Sequence, residues 1–314
     1  MNRLRIGTRG SALALWQADH IREKLAELHG VEAELVRIRT SGDRFQGASI
    51  AEIGAETGTK GIFIKEIEDA LLKGEVDLAV HSMKDVPTET PAGLIFSAMT
   101  KREDPRDCLI SREGRGLAEL AAGSKIGTSS LRRQSQLRQR RPDLEVADLR
   151  GNVDTRLKKV AVGDFDAIVL AVAGVTRLGA RERITEILPA EIMLPAVGQG
   201  ALGIETREDD REISRLAASL NDAETQACVT TERALLREME GGCQVPLGAW
   251  AQISEGQIRI AACLLSVDGK ECLRRELSGP ADDAEGIGRR LGTILREAGG
   301  DRILRLAGRS VGQR

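Results

Sequence analysis

One thiol of this 314-residue chain stands where it could carry a covalently attached group. Cys243 follows two glycines and precedes Gln-Val-Pro, in the segment ERALLREMEGGCQVPLG over residues 232–248. Two leucines and a methionine give the stretch before it the apolar spacing of a helix. Glycines end helices readily in the left-handed conformation, and Pro246 opposes a return to helix. The pattern predicts that Cys243 lies on a surface loop, held in one place and accessible.

Arginines recur where predicted strands lead into predicted helices, commonly beside hydroxyl residues. In an α/β sheet these strand ends lie on one edge, where ligands bind. Helix N-termini and guanidinium groups both attract carboxylates and phosphates. The sequence therefore predicts a rim that binds a ligand with several anionic groups. The arginines in such positions are Arg9, Arg132, Arg133, Arg150, Arg156 and Arg177.

The segment GTSSLRRQ over 127–134 has a simpler interpretation. Ser129 or Ser130 could act only as a helix N-cap, with Arg132 and Arg133 on a solvated helix face. The repetition of the same arrangement after three strands favours the anion site. No glycine-rich loop of the nucleoside triphosphate type is present, so such a ligand is not indicated.

A carboxylate follows another predicted strand, in the segment HSMKDVP over 81–87. At a cleft, Asp85 could act as a general acid or base or stabilise a cationic intermediate, with Lys84 beside it. Alternatively, Asp85 could be a turn residue that hydrogen-bonds its own backbone.

Two series of alternating strands and helices would position these residues, and both predict parallel α/β sheets. Charged or glycine-rich segments over 100–107 and 194–200 read as crossings between the two lobes, which would enclose a cleft. The residues from about 221 onward predict a small α+β domain. The predicted strands are 4–7, 34–39, 76–80, 125–128, 145–149, 167–172, 248–253, 257–265 and 270–277; the main helices are 11–28, 62–72, 129–140, 152–162 and 282–299.

The composition narrows the classes of function. Hydrophobic residues make up 41%, charged residues 30% and aromatic residues 2%, with a net charge of −2. This balance does not favour nucleic-acid binding, and no stretch is apolar enough to span a membrane. The five cysteines show no zinc-ligand spacing and, without a signal sequence, predict no disulfide framework. We expect a cytoplasmic protein without a metal site.

Seven segments together resemble the porphobilinogen deaminase (hydroxymethylbilane synthase) family, and the resemblance covers nearly the whole chain. They are TRGSALALWQ at 8–17, HSMKDVP at 81–87, REDPRD at 102–107, GTSSLRRQ at 127–134, LRGNV at 149–153, LPAVGQG at 194–200 and the Cys243 segment. One departure is the segment over 53–60, which is longer than the family pattern Ile-Gly-x-Lys, and Glu52 precedes it where some members have a basic residue.

The resemblance implies a transferase of tetrapyrrole biosynthesis. Its dipyrromethane cofactor is joined by a thioether to the cysteine matching Cys243, four porphobilinogen molecules are deaminated and added, and water releases the linear product. Asp85 is implied as the catalytic residue. The implied cofactor-binding residues are Cys243, Lys84, Asp85, Thr128, Ser130, Arg132, Arg133, Arg150 and Arg156, and the implied substrate-binding residues are Arg9, Ser11, Gln17, Arg150, Arg156 and Arg177.

The resemblance also implies a fold. Two lobes like those of periplasmic binding proteins would flank a central cleft, with a small C-terminal α+β domain that carries Cys243. The domains would be 1–100 with a return segment over 200–219, then 101–199, then 220–314, in a monomer.

Two other classes of function remain open from the residues alone. A two-lobed binding protein for a small polyanion would need the arginines but neither Asp85 nor Cys243. A thiol redox protein would need an exposed Cys243 of low pKa but no arginine rim.

Overall fold

A computed structural model describes residues 3–41, 64–240 and 245–312, with side chains described up to residue 308. Contacts divide the chain into two compact units. Unit 1 combines the residues up to 103 with 201–226, and unit 2 combines 104–200 with the residues from 227 onward. The chain therefore leaves unit 1 inside one predicted crossing segment and returns directly after the other.

Unit 1 is a five-stranded sheet in the order β2-β1-β3-β10-β4 with helices on both faces. Strand β10 runs antiparallel to both of its neighbours, whereas β1 is parallel to β2 and β3. The core packs α1 and α6 against one face and α2 against the other. The elements are β1 (Leu4–Thr8), α1 (Ala12–His29), β2 (Ala33–Arg37), α2 (Lys65–Leu72), β3 (Leu78–Ser82), β4 (Leu94–Met99), β10 (Leu202–Arg207) and α6 (Arg211–Ala218).

The first sheet of unit 2 repeats this plan in the order β7-β6-β8-β5-β9. Strand β6 is parallel to β7 and β8, and β5 is antiparallel to β8 and β9. Helix α3 covers one face, and α4 and α5 cover the other. The elements are β5 (Asp107–Ser111), β6 (Lys125–Gly127), α3 (Leu131–Arg140), β7 (Glu145–Ala147), α4 (Val153–Ala161), β8 (Ala167–Ala171), α5 (Val172–Arg177) and β9 (Glu186–Ile187).

The α/β class is confirmed, but the expectation of wholly parallel sheets is wrong. Strands β10 and β5 were missed, and each is the antiparallel strand of its sheet. Each also directly follows a passage of the chain between units. The rule that predicts parallel strands applies to strands joined by a crossover helix, and neither β5 nor β10 is preceded by one.

The C-terminal part of unit 2 is an antiparallel sheet, β11-β12-β13, with helices packed on one face. The prediction of a final helix over 282–299 is wrong in one respect, because that helix is not the last. Gly299 has φ 101°, which interrupts the helical path, and a further helix follows. The elements are α7 (Ala223–Glu238), β11 (Leu247–Ser254), β12 (Gln257–Leu265), β13 (Cys272–Pro280), α8 (Ala284–Leu295) and α9 (Asp301–Gly312).

The other face of this sheet packs within unit 2 against the segment around Leu194, which follows β9, and against α3. Leu194 joins Cys263 and Leu265 in a small apolar cluster. Arg138 of α3 donates from Nη1 to the Val267 carbonyl oxygen at 2.7 Å. Because this sheet and the β5–β9 sheet share one compact unit, the division into three domains stays a prediction.

A cluster of buried side chains, two of them acidic, lies inside unit 1 beside β3. His81 Nε2 lies 3.0 Å from Glu205 Oε2, and both side chains are buried. Glu68 of α2 is also buried. Its burial, reinforced by the charge of Glu205, raises the pKa of the Glu68 carboxyl from 4.5 to about 7.

The Glu68→Gln variant should make unfolding less dependent on pH. Since the pKa of Glu68 is raised on folding, the folded protein binds more protons than the unfolded chain between about pH 4.5 and 7. The stabilisation that Glu68 contributes is fully present below pH 4.5, the pKa of the group in the unfolded chain. It is lost as the pH rises through about 7, the pKa in the folded protein. At pH 8 we expect the free energy of unfolding of the variant to exceed that of the parent by about 1–3 kcal/mol.

Chemical denaturation at pH 5 and pH 8 measures this difference. The exposed Glu23 provides the matched control, and Glu23→Gln should leave the pH profile unchanged. An equal loss of stability in Glu68→Gln at both pH values would contradict the assignment.

Candidate active site

The residues that follow β1 and β3 are held together at one edge of the unit 1 sheet. Ser11 Oγ accepts a hydrogen bond from Ala14 N at 3.3 Å and so caps α1. Gln17, one turn further, is buried and donates from Nε2 to Ser82 Oγ at 3.0 Å. Because β1 and β3 are parallel neighbours, Arg9 lies after a strand end adjacent to the one that Ser82 closes.

The turn after β3 presents Asp85 to solvent. Met83 is 1% exposed, and its backbone N donates to the Ala201 carbonyl oxygen at 3.1 Å. A Cβ atom on Gly203 would lie 2.3 Å from Met83 Sδ, so a side chain there would expel Met83. The anchored methionine leaves Lys84 half-buried and Asp85 exposed.

The alternative in which Asp85 bonds its own backbone receives no support from these contacts. Within the residues that the structure describes, its carboxylate accepts no hydrogen bond from the turn.

In unit 2, the segments with Thr128, Arg150 and Ala173 follow three neighbouring parallel strands, β6, β7 and β8. This arrangement confirms that these strand ends share one edge. Thr128 is fully buried, and Ser130 is the N-cap residue of α3.

The predicted hydroxyl cap of α3 is wrong. The Ser130 side chain makes no capping hydrogen bond, and Ser129 Oγ instead donates to the Leu149 carbonyl oxygen at 2.8 Å. The amide groups of the first turn of α3 therefore receive no cap from Ser130, and this end of the helix keeps its attraction for an anion.

Arg132 and Arg133 are not on a solvated face; they are 4% and 6% exposed and meet Asp107. Arg132 Nη1 donates to Asp107 Oδ2 at 2.6 Å and to the Leu194 carbonyl oxygen at 2.5 Å. Arg133 donates to Asp107 Oδ1 from Nε at 3.1 Å and Nη2 at 2.7 Å. Gln199 Nε2 adds a bond of 2.9 Å to the same oxygen.

The charges in this buried cluster do not balance. Burial alone would raise the pKa of Asp107, but the charges of Arg132 and Arg133 outweigh it and hold that pKa well below its usual range. Two guanidinium groups against one carboxylate leave one positive charge. Within the described residues, Arg132 Nε is buried without a hydrogen-bond acceptor, and burial lowers the pKa of Arg132.

The other arginines after these strands differ in their surroundings. Arg177 is 9% exposed, and its Nη2 donates to the Gly200 carbonyl oxygen at 2.7 Å. Arg156 is half-buried and donates from Nε to the Gly151 carbonyl oxygen at 2.7 Å, and Arg150 is also half-buried.

The sequence prediction missed Asp107 and Gln199 as parts of this cluster. Both lie in segments predicted as crossings and counted among the family motifs, but neither residue was given a role at the site. The available signal was a charged residue directly before the apolar run Cys108–Leu109–Ile110, because a carboxylate opening a buried strand needs a cationic partner. Strand pairing sets Asp107 opposite Ala171, at the strand end that leads to Arg177.

The features of the unit 2 edge fit a ligand that carries carboxylates. The excess positive charge, the buried Nε donor and the uncapped helix all favour an anion at the same end of α3. Cys243 lies outside the described residues, as does the segment over 53–60 with Lys60.

The described residues lack two further kinds of feature. No group of three or more His, Cys, Asp or Glu side chains there is arranged to hold a metal ion. No helix in this part of the chain has both the length and the apolar composition to cross a membrane.

Solved structures resemble this chain only weakly. The BvgS periplasmic VFT2 domain of Bordetella pertussis is 14% identical with a TM-score of 0.41, over 69% of this chain and 86% of that one. The periplasmic sulfonate-binding protein of Methylobacillus flagellatus is 14% identical with a TM-score of 0.38, over 76% of this chain and 68% of that one.

Sequence comparison is far more specific. Residues 4–215 match the family model "Porphobilinogen deaminase, dipyromethane cofactor binding domain", and residues 226–297 match "Porphobilinogen deaminase, C-terminal domain". The porphobilinogen deaminase of Syntrophobacter fumaroxidans is 49% identical over 96% of both chains. That of Chlorobaculum parvum is 50% identical over 95% of this chain and 96% of its own. With the strand-end site described above, these matches show that the chain belongs to the porphobilinogen deaminase family.

Proposed function

We propose that this chain carries out the family's reaction at the residues that follow β1, β3, β6, β7 and β8. In that reaction porphobilinogen loses ammonia, four units are joined to a dipyrromethane primer, and water releases linear hydroxymethylbilane. When bound through Cys243, the primer supplies the terminal pyrrole carbon to which the first substrate is joined. Neither a polyanion-binding protein nor a thiol redox protein would explain why residues 4–215 and 226–297 both match porphobilinogen deaminase models.

The observation that carries the site assignment is the excess positive charge at the start of α3. Each pyrrole of substrate and primer carries an acetate and a propionate, so the growing chain is a polyanion. Guanidinium groups bind carboxylates through paired, charge-assisted hydrogen bonds. The residues proposed to hold the primer are Cys243, Lys84, Asp85, Thr128, Ser130, Arg132, Arg133, Arg150 and Arg156, and those proposed for incoming substrate are Arg9, Ser11, Gln17, Arg150, Arg156 and Arg177.

Asp85 is proposed as the catalytic carboxyl group. A substrate amine leaves as ammonia only after it is protonated, and a carboxyl group at hydrogen-bond distance can provide that proton. The same carboxylate can then stabilise the positive charge that develops on the substrate. The anchored turn supports this role, because buried Met83 holds the backbone while Asp85 stays exposed.

Asp107 is proposed to position Arg132 and Arg133. Its two oxygens accept bonds from both arginines, which restricts their guanidinium groups while it neutralises only one of the two charges. The remaining donors, including Arg132 Nε, are then available in a fixed geometry for a ligand carboxylate.

We infer further that the chain acts as a cytoplasmic monomer on a small-molecule substrate, without nucleic acid or membrane. The net charge of −2 and the 2% aromatic content support this proposal.

The intact mass of the purified, denatured protein tests the covalent primer. We expect an excess of two pyrrole units over the 33.9 kDa chain, and Cys243→Ser should lose that excess completely. Cys272→Ser is the matched control and should keep it. Wild-type protein that has the bare mass of the chain and gains none after incubation with porphobilinogen would overturn the proposed function.

Asp85→Ala should reduce turnover per primer-bearing molecule by about 10²–10⁴-fold, the range for loss of a positioned acid–base group. Product formation is measured spectroscopically, and intact mass counts the molecules that carry the primer. Asp209→Ala changes another exposed aspartate of unit 1 and should leave turnover unchanged. If Asp85→Ala keeps full turnover, Asp85 has no catalytic role.

Asp107→Asn should destabilise the fold by about 3–5 kcal/mol, because two buried guanidinium groups would lose their counter-charge. Chemical denaturation at pH 7 measures this change. Asp143, which pairs with Arg141 at the surface, supplies the control Asp143→Asn, for which we expect little change. Equal stability of the two variants would contradict the importance of the buried cluster.

A further inference from the structure

Two cysteines of the C-terminal sheet lie in direct contact. Cys263 on β12 pairs in register with Arg274, and Cys272 on β13 pairs with Leu265. Both cysteines therefore point to the same face of the sheet as diagonal neighbours. Their Sγ atoms are 3.3 Å apart. Among the described cysteines, Cys108 and Cys228 are buried elsewhere in unit 2, so this contact is specific to one pair.

The two thiols have different surroundings. Cys263 is 2% exposed and packs against Leu194, whereas Cys272 is half-buried near the start of an edge strand. A reagent in solution therefore reaches Cys272 before Cys263.

The contacts also favour a negative charge on Cys272. A hydrogen bond from the Cys263 thiol lowers the pKa of Cys272 most strongly; burial opposes this, and the Gln139 amide and Arg274 charge lower the pKa further. The same hydrogen bond, together with burial, raises the pKa of Cys263. A thiolate is the reactive form of cysteine, so Cys272 is the better nucleophile.

We propose that Cys272 and Cys263 form a reversible dithiol–disulfide site that reacts with small-molecule disulfides. Accessible thiolates with a neighbouring thiol are the usual arrangement of redox-sensitive cysteines. This site is separate from Cys243, whose sulfur is taken up by the thioether to the primer.

The reaction balances with a disulfide such as oxidised glutathione as the oxidant. The Cys272 thiolate attacks one sulfur of oxidised glutathione, which breaks its disulfide, releases one glutathione thiolate and leaves a mixed disulfide on Cys272. Cys263 then loses its proton and attacks Cys272 Sγ, which releases the second glutathione thiolate. Two protein thiols are oxidised to one disulfide while one molecule of oxidised glutathione is reduced to two thiols.

The sheet can accommodate the bond. A disulfide requires the two sulfur atoms to approach by about 1.3 Å from their present separation. Strand β13 pairs only with β12 in its sheet, so it can shift without breaking a second ladder. Because Gln139 of α3 contacts Cys272, the bond would alter a contact at the far end of the helix that carries Arg132 and Arg133.

Peptide mapping of the holoenzyme tests the proposal. The protein is equilibrated in glutathione buffers of graded oxidised-to-reduced ratio, acidified, alkylated and digested with trypsin. Cleavage after Arg259, Lys270 and Arg274 places Cys263 in peptide 260–270 and Cys272 in peptide 271–274. We expect these two peptides to be linked in oxidising buffer and to separate fully in reduced buffer.

Two variants separate the roles of the thiols. Cys263→Ser should stop at a single glutathione on Cys272, and Cys272→Ser should form neither the link nor a rapid adduct at Cys263. Bound primer, read from intact mass, shows that each variant is folded. If either variant fails to fold, the peptide map of the wild-type protein tests the proposal by itself.

The proposal is overturned if both wild-type peptides stay alkylated at every buffer ratio. It is equally overturned if folded Cys272→Ser reacts at Cys263 as fast as the parent.

Discussion

The carboxylate of Asp107 determines how the unit 2 site can be built. It lies at the start of β5, is fully buried and accepts bonds from two arginines of α3 and from Gln199. A buried charged cluster requires good geometry, because removing the groups from water costs several kcal/mol per ion. This geometry joins the start of one strand, the start of one helix and the segment that precedes β10.

That requirement for good geometry explains why neighbouring amide side chains also have fixed hydrogen-bond partners. Gln136 of α3 accepts a bond from Leu194 N at 2.8 Å and donates to the Leu194 carbonyl oxygen at 3.1 Å. Gln134 donates to the Thr128 carbonyl oxygen at 2.8 Å. These amides satisfy backbone groups around the guanidinium groups, so the arginines sit in a preorganised polar frame rather than in a flexible one.

Much of this arrangement was predictable from the sequence, because it depends on local patterns. Apolar runs and their spacing located most strands and helices, and the strand-end positions of Arg9, Arg150 and Arg177 followed from those elements. The family resemblance provided the chemistry, since no pattern of spacing identifies a pyrrole.

What could not be predicted depends on long-range pairing. The antiparallel direction of β5 and β10 is set by which distant strand each one joins, and short strands carry little information about that choice. The same holds for Asp107, whose partners lie 25 and 26 residues away in sequence. The last helix, α9, was missed because the predicted helix ended at Gly299, whose φ of 101° interrupts the helical path before the chain becomes helical again.

The position of β10 between β3 and β4 has a consequence for the synthesis of this protein. Strands β3 and β4 leave the ribosome about a hundred residues before their common partner, so the unit 1 sheet cannot close while the first half of the chain is made. Until then each has an unpaired edge that could associate with another chain. The first sheet of unit 2 is complete at Ile187, before β10 emerges at Leu202, so the later sheet in sequence can finish folding before the earlier one.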